Sequence, residues 1–341
     1  MRSETAWEVV ELSQICTYRQ ERIEVDKLTT SNYISTANML PNKSGIEVAD
    51  NLPNTKTTSR FYVNDVLVSN IRPYFKKAWL ATLDGGCSND VLVMRALDDV
   101  YAPYLYYLLS SDQFFAYMTS TAKGTKMPRG DKDAIMRYMI QKPPLGVQKA
   151  IADILSCLDS KIELNNKINE NLEAQVQAIF KSWFVYFEPF QDGEFVESEL
   201  GLIPEGWHVS ALSDAIDVNP VRILKKGSLA THLGMANVPT SGSRALSWKQ
   251  REFTSGTRFT NGDVLVARIT PCLENGKTAF VDFLSDGEIG WGSTEFIVMR
   301  SREPWPVEYA YCLARYEPFR AHLIGSMTGT SGRQRVANHA L

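Results

Sequence analysis

Two short stretches of the chain hold side chains suited to gripping a polyanion and to reading the edges of bases. After the apolar run Val66-Leu67-Val68 come Ser69, Asn70, Arg72, Tyr74, Lys76 and Lys77. About two hundred residues later, Val264-Leu265-Val266 is followed by Arg268, Thr270, Asn275 and Lys277. Arginine and lysine can contact phosphate oxygens or guanine edges, and asparagine can pair with adenine through two hydrogen bonds. A second pair of segments has the same character: Lys123-Gly124-Thr125-Lys126-Met127-Pro128-Arg129, and Gly329-Thr330-Ser331-Gly332-Arg333-Gln334-Arg335. Small residues there let the backbone approach a ligand closely, and the basic ones reach phosphates. Any one of these residues could equally be an ordinary solvent-facing charge. Their occurrence in two copies, on loops after strands, favours binding. Tyr33, Trp79 and Trp248 could pack on a nucleic acid, but cores or sheet edges suit them better.

Catalytic patterns are absent. The chain has no G-x-x-x-x-G-K-[ST] phosphate loop, no H-E-x-x-H and no G-x-S-x-G. An adenine methyltransferase would carry a glycine-rich cofactor loop and an Asn/Asp-Pro-Pro-aromatic turn, whereas Asn219-Pro220 is followed by Val221. Glu274-Asn275-Gly276-Lys277 lacks an acidic partner at nuclease spacing and reads better as a hairpin turn. The four histidines and five cysteines are scattered without metal-ligand spacing. The expectation is a binding protein with no cofactor of its own.

The elements that must position the loops occur twice. Trp7-Glu-Val9-Val-Glu-Leu12-Ser13 is echoed by Trp207-His-Val209-Ser-Ala-Leu212-Ser213, and Asp65-Val-Leu-Val68-Ser-Asn-Ile71-Arg-Pro73 by Asp263-Val-Leu-Val266-Ala-Arg-Ile269-Thr-Pro271. Val91-Leu-Val-Met-Arg95 matches Phe296-Ile-Val-Met-Arg300, and Gly124-Thr125 matches Gly329-Thr330. Four landmarks in one order imply two copies of a domain. Asn64-Asp65 and Asn261-Gly262-Asp263 are turn signals feeding buried strands. Pro103 to Met118 and Val307 to Ile324 have helical periodicity. Each copy is therefore expected to be an α+β unit with one curved sheet and flanking helices.

Between the copies, no glycine or proline interrupts the chain from Gly146 to Pro189. Ile151, Leu155, Leu158, Ile162, Leu172, Val176, Ile179 and Trp183 recur at steps close to a heptad, with Asn165 and Asn169 on the same seam. This predicts a long coiled-coil-type helix whose seam meets a partner, the asparagines fixing register. The expected layout is 1–145 and 207–341 for the two domains, 146–187 for the helix and 188–206 for an acidic connector. Pro143-Pro144 ends the first domain and starts the rod.

The formal net charge of −3 is a poor match for a nucleic-acid binder, but it is unevenly spread. From Trp207 onward 15 Lys and Arg stand against 12 Asp and Glu, a balance of +3, while residues 1–145 carry 17 against 16. Affinity for DNA leans on phosphate neutralisation, so a chain this close to neutral is expected to bind weakly alone. The first residues lack an apolar stretch of signal-peptide type, no run is long enough to span a bilayer, and the separated cysteines suit a reduced, cytoplasmic protein.

The two copies, the Pro-Pro-Leu-x-x-Gln-Lys-x-Ile-Ala-x-x-Leu-x-x-x-Asp start of the rod (Pro143 to Asp159), its Lys181-Ser-Trp-Phe184 end and the Gly-Thr-basic segments together resemble the specificity (S) subunit of type I restriction–modification systems. The resemblance implies that each copy is a target-recognition domain reading one half of a bipartite double-stranded DNA site, with the rod as a ruler. It also implies methyltransferase (M) subunits docked on the rod and domains, and restriction (R) subunits joined through them. The family pattern has a second long helix after the second domain. By the repeat offset Leu341 corresponds to Met136, so the counterpart of Arg137 to Tyr186 is missing. The expectation is a truncated subunit whose seam takes a helix from another chain, by self-association or from a separate fragment. Two other readings compete: an enzyme fused to its own recognition domains, and an assembly adaptor that no longer directs DNA recognition.

Overall fold

The computed structural model describes residues 7–330, 332–337 and 340–341. It divides into two compact units, the first ending at Ile162 and the second beginning at Glu163. The boundary falls inside one uninterrupted helix, Leu145–Phe184, of 40 residues, about 60 Å long at ~1.5 Å per residue.

Both units repeat one strand arrangement. In the first, an antiparallel sheet has the order Cys16–Tyr18, Val91–Ala96, Val66–Ser69, Ala78–Leu80. In the second the order is Ile216–Val218, Phe296–Ser301, Val264–Ala267, Thr278–Phe280. The echoed runs are the two central strands, which are buried along most of their length. That is why they read as continuous apolar stretches without alternation.

The single curved sheet expected for each copy is replaced by two four-stranded sheets. The second sheet of unit 1 orders Arg22–Glu24, Thr57–Phe61, Gly85–Cys87 and Tyr33–Ile34. In unit 2 the sheet is Thr257–Phe259, Gly290–Gly292, Leu229–Leu233 and Lys249–Glu252. Three strands correspond, and the fourth is added on opposite edges. These strands are short, two of them, Gly85–Cys87 and Gly290–Gly292, contain glycine, and their weak periodicity hides them in the sequence. Gly85 shows why glycine is needed: a Cβ would lie 2.1 Å from the Asn32 carbonyl oxygen.

Each expected helix after the second echoed strand is broken in two. In unit 1, Ala102–Leu109 gives way to Asp112–Ser120 because the Ser111 side chain accepts from the Phe114 N–H and caps a new helix. In unit 2, Tyr309–Arg315 and Glu317–Gly325 are separated by the extended Tyr316, with Pro318 in the first turn of the second helix. These helices cover one face of each antiparallel sheet. Leu105, Leu109, Phe114, Phe115 and Met118 form the first core with Leu12 and Ile15, and Ala310, Tyr311, Ala314 and Leu323 form the second with Val264 and Met299. Among the described residues, no helix is long and apolar enough to cross a membrane.

Candidate nucleic-acid interface

The buried strand Val66–Ser69 delivers the chain into a loop with an unusual backbone. Arg72 and Lys76 both adopt left-handed conformations, φ 48° and 51°, on either side of the short turn Pro73–Phe75. Non-glycine residues hold such angles only where their surroundings impose them, and these sites concentrate at functional loops. The Lys123–Arg129 segment supplies the surroundings. The Arg72 N–H donates to the Pro128 carbonyl (2.8 Å), and the Gly130 N–H to that of Asn70 (3.1 Å). Lys123 and Arg129 exchange backbone bonds of 2.8 and 2.9 Å, closing a small loop whose turn uses Gly124 at φ 95°. The two basic stretches, over fifty residues apart in sequence, are thus one surface.

Unit 2 repeats this arrangement. Ile269 bridges Arg335 as Ile71 bridges Arg129. The Thr270 N–H donates to the Gln334 carbonyl (3.0 Å), and the Val336 N–H to that of Arg268 (2.9 Å). Gly329 takes φ 127° where Gly124 takes 95°. Ser331 lies outside the described residues.

A carboxylate clamps each loop pair. Arg129 places Nε 3.2 Å and Nη2 3.1 Å from Asp90 Oδ1. Arg335 grips Glu295 with a fork, Nε at 2.9 Å from both oxygens and Nη2 at 2.6 Å from Oε1. The Arg335 hydrogen bonds hold the Glu295 carboxyl below its ordinary range. The same two acidic residues accept, through their backbone carbonyls, from the N–H groups of Asn70 (2.8 Å) and Arg268 (3.0 Å). Sequence reasoning missed Asp90 and Glu295. A signal was present, since each stands immediately before an echoed strand, Val91–Ala96 or Phe296–Ser301.

The lysines, with Arg333, fall into three groups. Lys77 and Lys277 point inward, their ammonium groups donating to the carbonyls of Thr36 (2.6 Å) and Met235 (2.7 Å), and burial pushes Lys77 below its ordinary value. Lys76, half-buried, and Lys123, exposed, are both paired, with Asp112 at 3.0 Å and Asp131 at 2.5 Å. Lys126 and Arg333 are exposed and have no partner among the described residues. Tyr74 is exposed and packs its ring on Phe75 at 4.8 Å. The Nε of Arg72 and Oδ1 of Asn70 are buried without hydrogen-bond partners among the described residues. Tyr33 is buried, Trp79 packs edge-on against Phe61, and Trp248 stacks on Phe283 at 4.4 Å.

At the entry of each echoed central strand, the end away from its loop pair, lies a fully buried aspartate. Asp65 accepts from Arg19 Nε (2.9 Å), Arg95 Nε (2.5 Å) and the Tyr62 N–H (2.8 Å). Asp263 accepts from Arg222 Nη2 (2.7 Å), Arg300 Nε (2.6 Å) and the Thr260 N–H (2.8 Å). Both side chains are 0% exposed. A buried charge is tolerated only when paired and hydrogen-bonded in this way.

The rod is seated by its own signature residues. Gln148, buried, donates to the carbonyls of Pro143 (2.9 Å) and Asp99 (3.4 Å) and accepts from the Tyr101 N–H (3.0 Å). Asp159 accepts from the Tyr107 hydroxyl at 2.8 Å. In unit 2, Glu173 accepts from the Tyr311 hydroxyl at 2.8 Å, and the buried Phe180 packs on Tyr309 and Tyr316. Of the seam, Ile151 and Leu155 are half-buried, whereas Leu158, Ile162, Asn165, Asn169, Leu172, Val176, Ile179 and Trp183 are not covered by described residues to better than partial burial.

A family model described as type I restriction modification DNA specificity domain matches residues 4–174. The specificity subunit of type I restriction enzyme MjaIX from Methanocaldococcus jannaschii is 37% identical over 123 residues, which are 36% of this chain and 28% of that protein. The HindI specificity subunit of Haemophilus influenzae is 30% identical over 195 residues, 54% of this chain and 42% of that one. The matches thus span less than half the length of these relatives. A solved S subunit of a type I restriction–modification system from M. genitalium superposes with a TM-score of 0.54 at 14% identity, covering 95% of this chain and 81% of that one. That likeness is one of fold.

Proposed function

This chain belongs to the type I restriction–modification DNA specificity family, and from that premise we propose that it is the sequence-reading, non-catalytic subunit of a DNA-modifying complex. The observation that carries the reading is the pairing of the two basic loops in each unit by corresponding backbone bonds, Arg72 to Pro128 and Thr270 to Gln334. Each loop pair reads one half of a bipartite double-stranded site. The exposed cations Lys126 and Arg333 contact phosphates, and the constrained 70–77 and 268–277 loops face the bases. Domains at 1–145 and 207–341 with a helix between them fit this division, and the helix length sets the gap between half-sites.

The seam of Leu158, Ile162, Leu172, Val176 and Ile179 is a docking stripe, since so many large apolar side chains on one helix face are unusual for a free surface. Methyltransferase subunits, or a second long helix from another copy, are the partners of that stripe, and restriction subunits join through the methyltransferase.

The test is a methylome. The chain is expressed with its neighbouring methyltransferase subunit, and modified bases are mapped by single-molecule sequencing. A bipartite, asymmetric motif is the expected result. Methylation at a continuous motif would remove the two-domain reading, and its absence would favour an assembly role.

A further inference from the structure

The two units differ in how the arginines around their buried aspartates are balanced. In unit 1, Arg19, Arg60 and Arg95 gather around the Tyr62 ring, with guanidinium carbons 4.5, 4.5 and 5.8 Å from its centroid. Two carboxylates lie among them, Asp65 and Glu21, the latter accepting from the Tyr62 hydroxyl at 2.7 Å and pairing with Arg19. Arg60 makes no ion pair among the described residues and its buried Nε has no hydrogen bond there. Glu21 nonetheless stands near it, held below its ordinary range by the Tyr62 hydroxyl and in part by the Arg60 charge. In unit 2 the corresponding arginines are Arg222, Arg258 and Arg300. Arg258 stands opposite Trp291 as Arg60 stands opposite Gly86. Asp263 serves Arg222 and Arg300, while Arg258 has no carboxylate partner among the described residues. It donates from Nη1 to the Arg222 carbonyl (3.1 Å) and lies 5.0 Å from the Phe253 ring centroid, and its buried Nε has no hydrogen bond among the described residues.

This surplus charge borders a cleft of about 300 Å³ lined by Arg222, Arg258 and Arg268 with Asn219, Thr257 and Thr294, and no carboxylate of the described residues lines it. Asn219 spends its N–H and Oδ1 on the backbone of Val298, leaving the Nδ2 donors without a partner among the described residues. Arg268 joins the cleft to the second loop pair and replaces Asn70 of the first. A concave, donor-lined site bordered by the unpaired charge of Arg258 is suited to a phosphate, whose oxygens match a guanidinium fork.

We propose that this cleft is a phosphate site. Within the reading of the chain as a DNA-recognition subunit, on which this second step rests, it holds one backbone phosphate of the duplex beside the bases faced by the 268–277 loop. The anchor belongs to unit 2 alone, so the two units grip their half-sites unequally.

The test has two arms on the full chain. In the first, arginine Nε–H signals are followed by nuclear magnetic resonance as inorganic phosphate is added. The Arg258 signal, assigned by its loss in Arg258→Gln, should shift saturably, and the Arg60 signal should not. A static Arg258 signal overturns the phosphate site. In the second, duplex affinity is measured against salt concentration. Arg258→Gln should lower the logarithmic salt slope by about 0.9, the value for one phosphate of duplex DNA, and weaken all sequences equally. Arg258→Lys should keep the slope, and Arg60→Gln should leave it unchanged. A phosphate-induced shift with an unaltered slope would assign the cleft to a free phosphate ligand and overturn its DNA role. Failure of the unmodified chain to bind any duplex, alone or with its methyltransferase subunit, while the phosphate shift persists, would count against the DNA-recognition reading and for the anion site.

Discussion

Arg335 forks Glu295, and Arg129 reaches Asp90 in the corresponding place of the other unit, so that each loop pair is closed by an arginine–carboxylate clamp. The clamp is local chemistry in the service of a long-range contact: it joins the end of the second basic segment to the residue that opens an echoed strand. Glu295→Gln keeps the shape and removes the charge that Arg335 needs. It should weaken binding to the preferred sequence by roughly tenfold, as expected for a lost charge-assisted bond, while non-specific binding changes little. Competition between target and random duplex measures this, and equal losses for both would refute the positioning role.

The same pair fixes a pH dependence. Its hydrogen bonds hold Glu295 below the ordinary value of 4.5. The folded state therefore favours the ionised carboxyl, and the clamp's contribution is complete above about pH 4.5 and falls away as acidity passes through the lowered value. Urea melts of the parent chain and Glu295→Gln should diverge above that pH and converge below it. A constant difference from pH 3 to 6 would exclude this linkage.

Asp65 and Asp263 offer a stability test of each unit. Asp65→Asn and Asp263→Asn each remove a fully buried counter-charge. Arg19 keeps its pair with Glu21, whereas Arg222 has no other ion pair among the described residues, so Asp263→Asn should cost the more, about 3–5 kcal/mol. Two-probe denaturation should find each loss confined to the unit that carries the substitution. A loss below about 1 kcal/mol in either would mean that the arginines find other partners.

Much of this arrangement was legible in the sequence, and what escaped has physical causes. The central strands Val66–Ser69 and Val264–Ala267 announced themselves because both faces are buried, and the long helix because nothing interrupts its period. Asp65 and Arg95 were visible as landmarks of the repeat, but not as partners, because strand pairing brings them together. The split at Ser111 was hidden because serine fits a helix interior and a cap equally at the level of pattern. Lys77 looked like any loop cation, and only the fold shows its ammonium group on the Thr36 carbonyl. The clamps were missed because a lone acidic residue before a strand says nothing until its arginine arrives from elsewhere.

Insertion of four helical residues near Asn166 lengthens the rod by about 6 Å. Since successive base pairs are ~3.4 Å apart, the spacer of the methylated motif should grow by one or two base pairs while both half-sites stay unchanged. Methylome mapping of the inserted variant reads the result directly, and an unchanged spacer would end the ruler role.

Thiol chemistry can report on the rod. Burial pushes Cys16 and Cys87 up to about 12, so both should resist labelling in the native state. Cys157, exposed on the helix, should label first. Mass spectrometry of peptides after brief alkylation gives the order, and early modification of Cys16 would contradict the packing around it.

Gln148 ties the start of the rod to the first unit. Its three partners, the Pro143 and Asp99 carbonyls and the Tyr101 N–H, are all main-chain atoms. The hold of Gln148 is therefore indifferent to the side chains around it, and the rest of the joint asks only for the Tyr107 hydroxyl on Asp159 and an apolar bed for Ile151 and Ala152. Recognition loops can diversify, or an entire unit can be exchanged for another with the same backbone path, without the helix losing its seat. A molecule jointed in this way keeps its scaffold while its vocabulary changes.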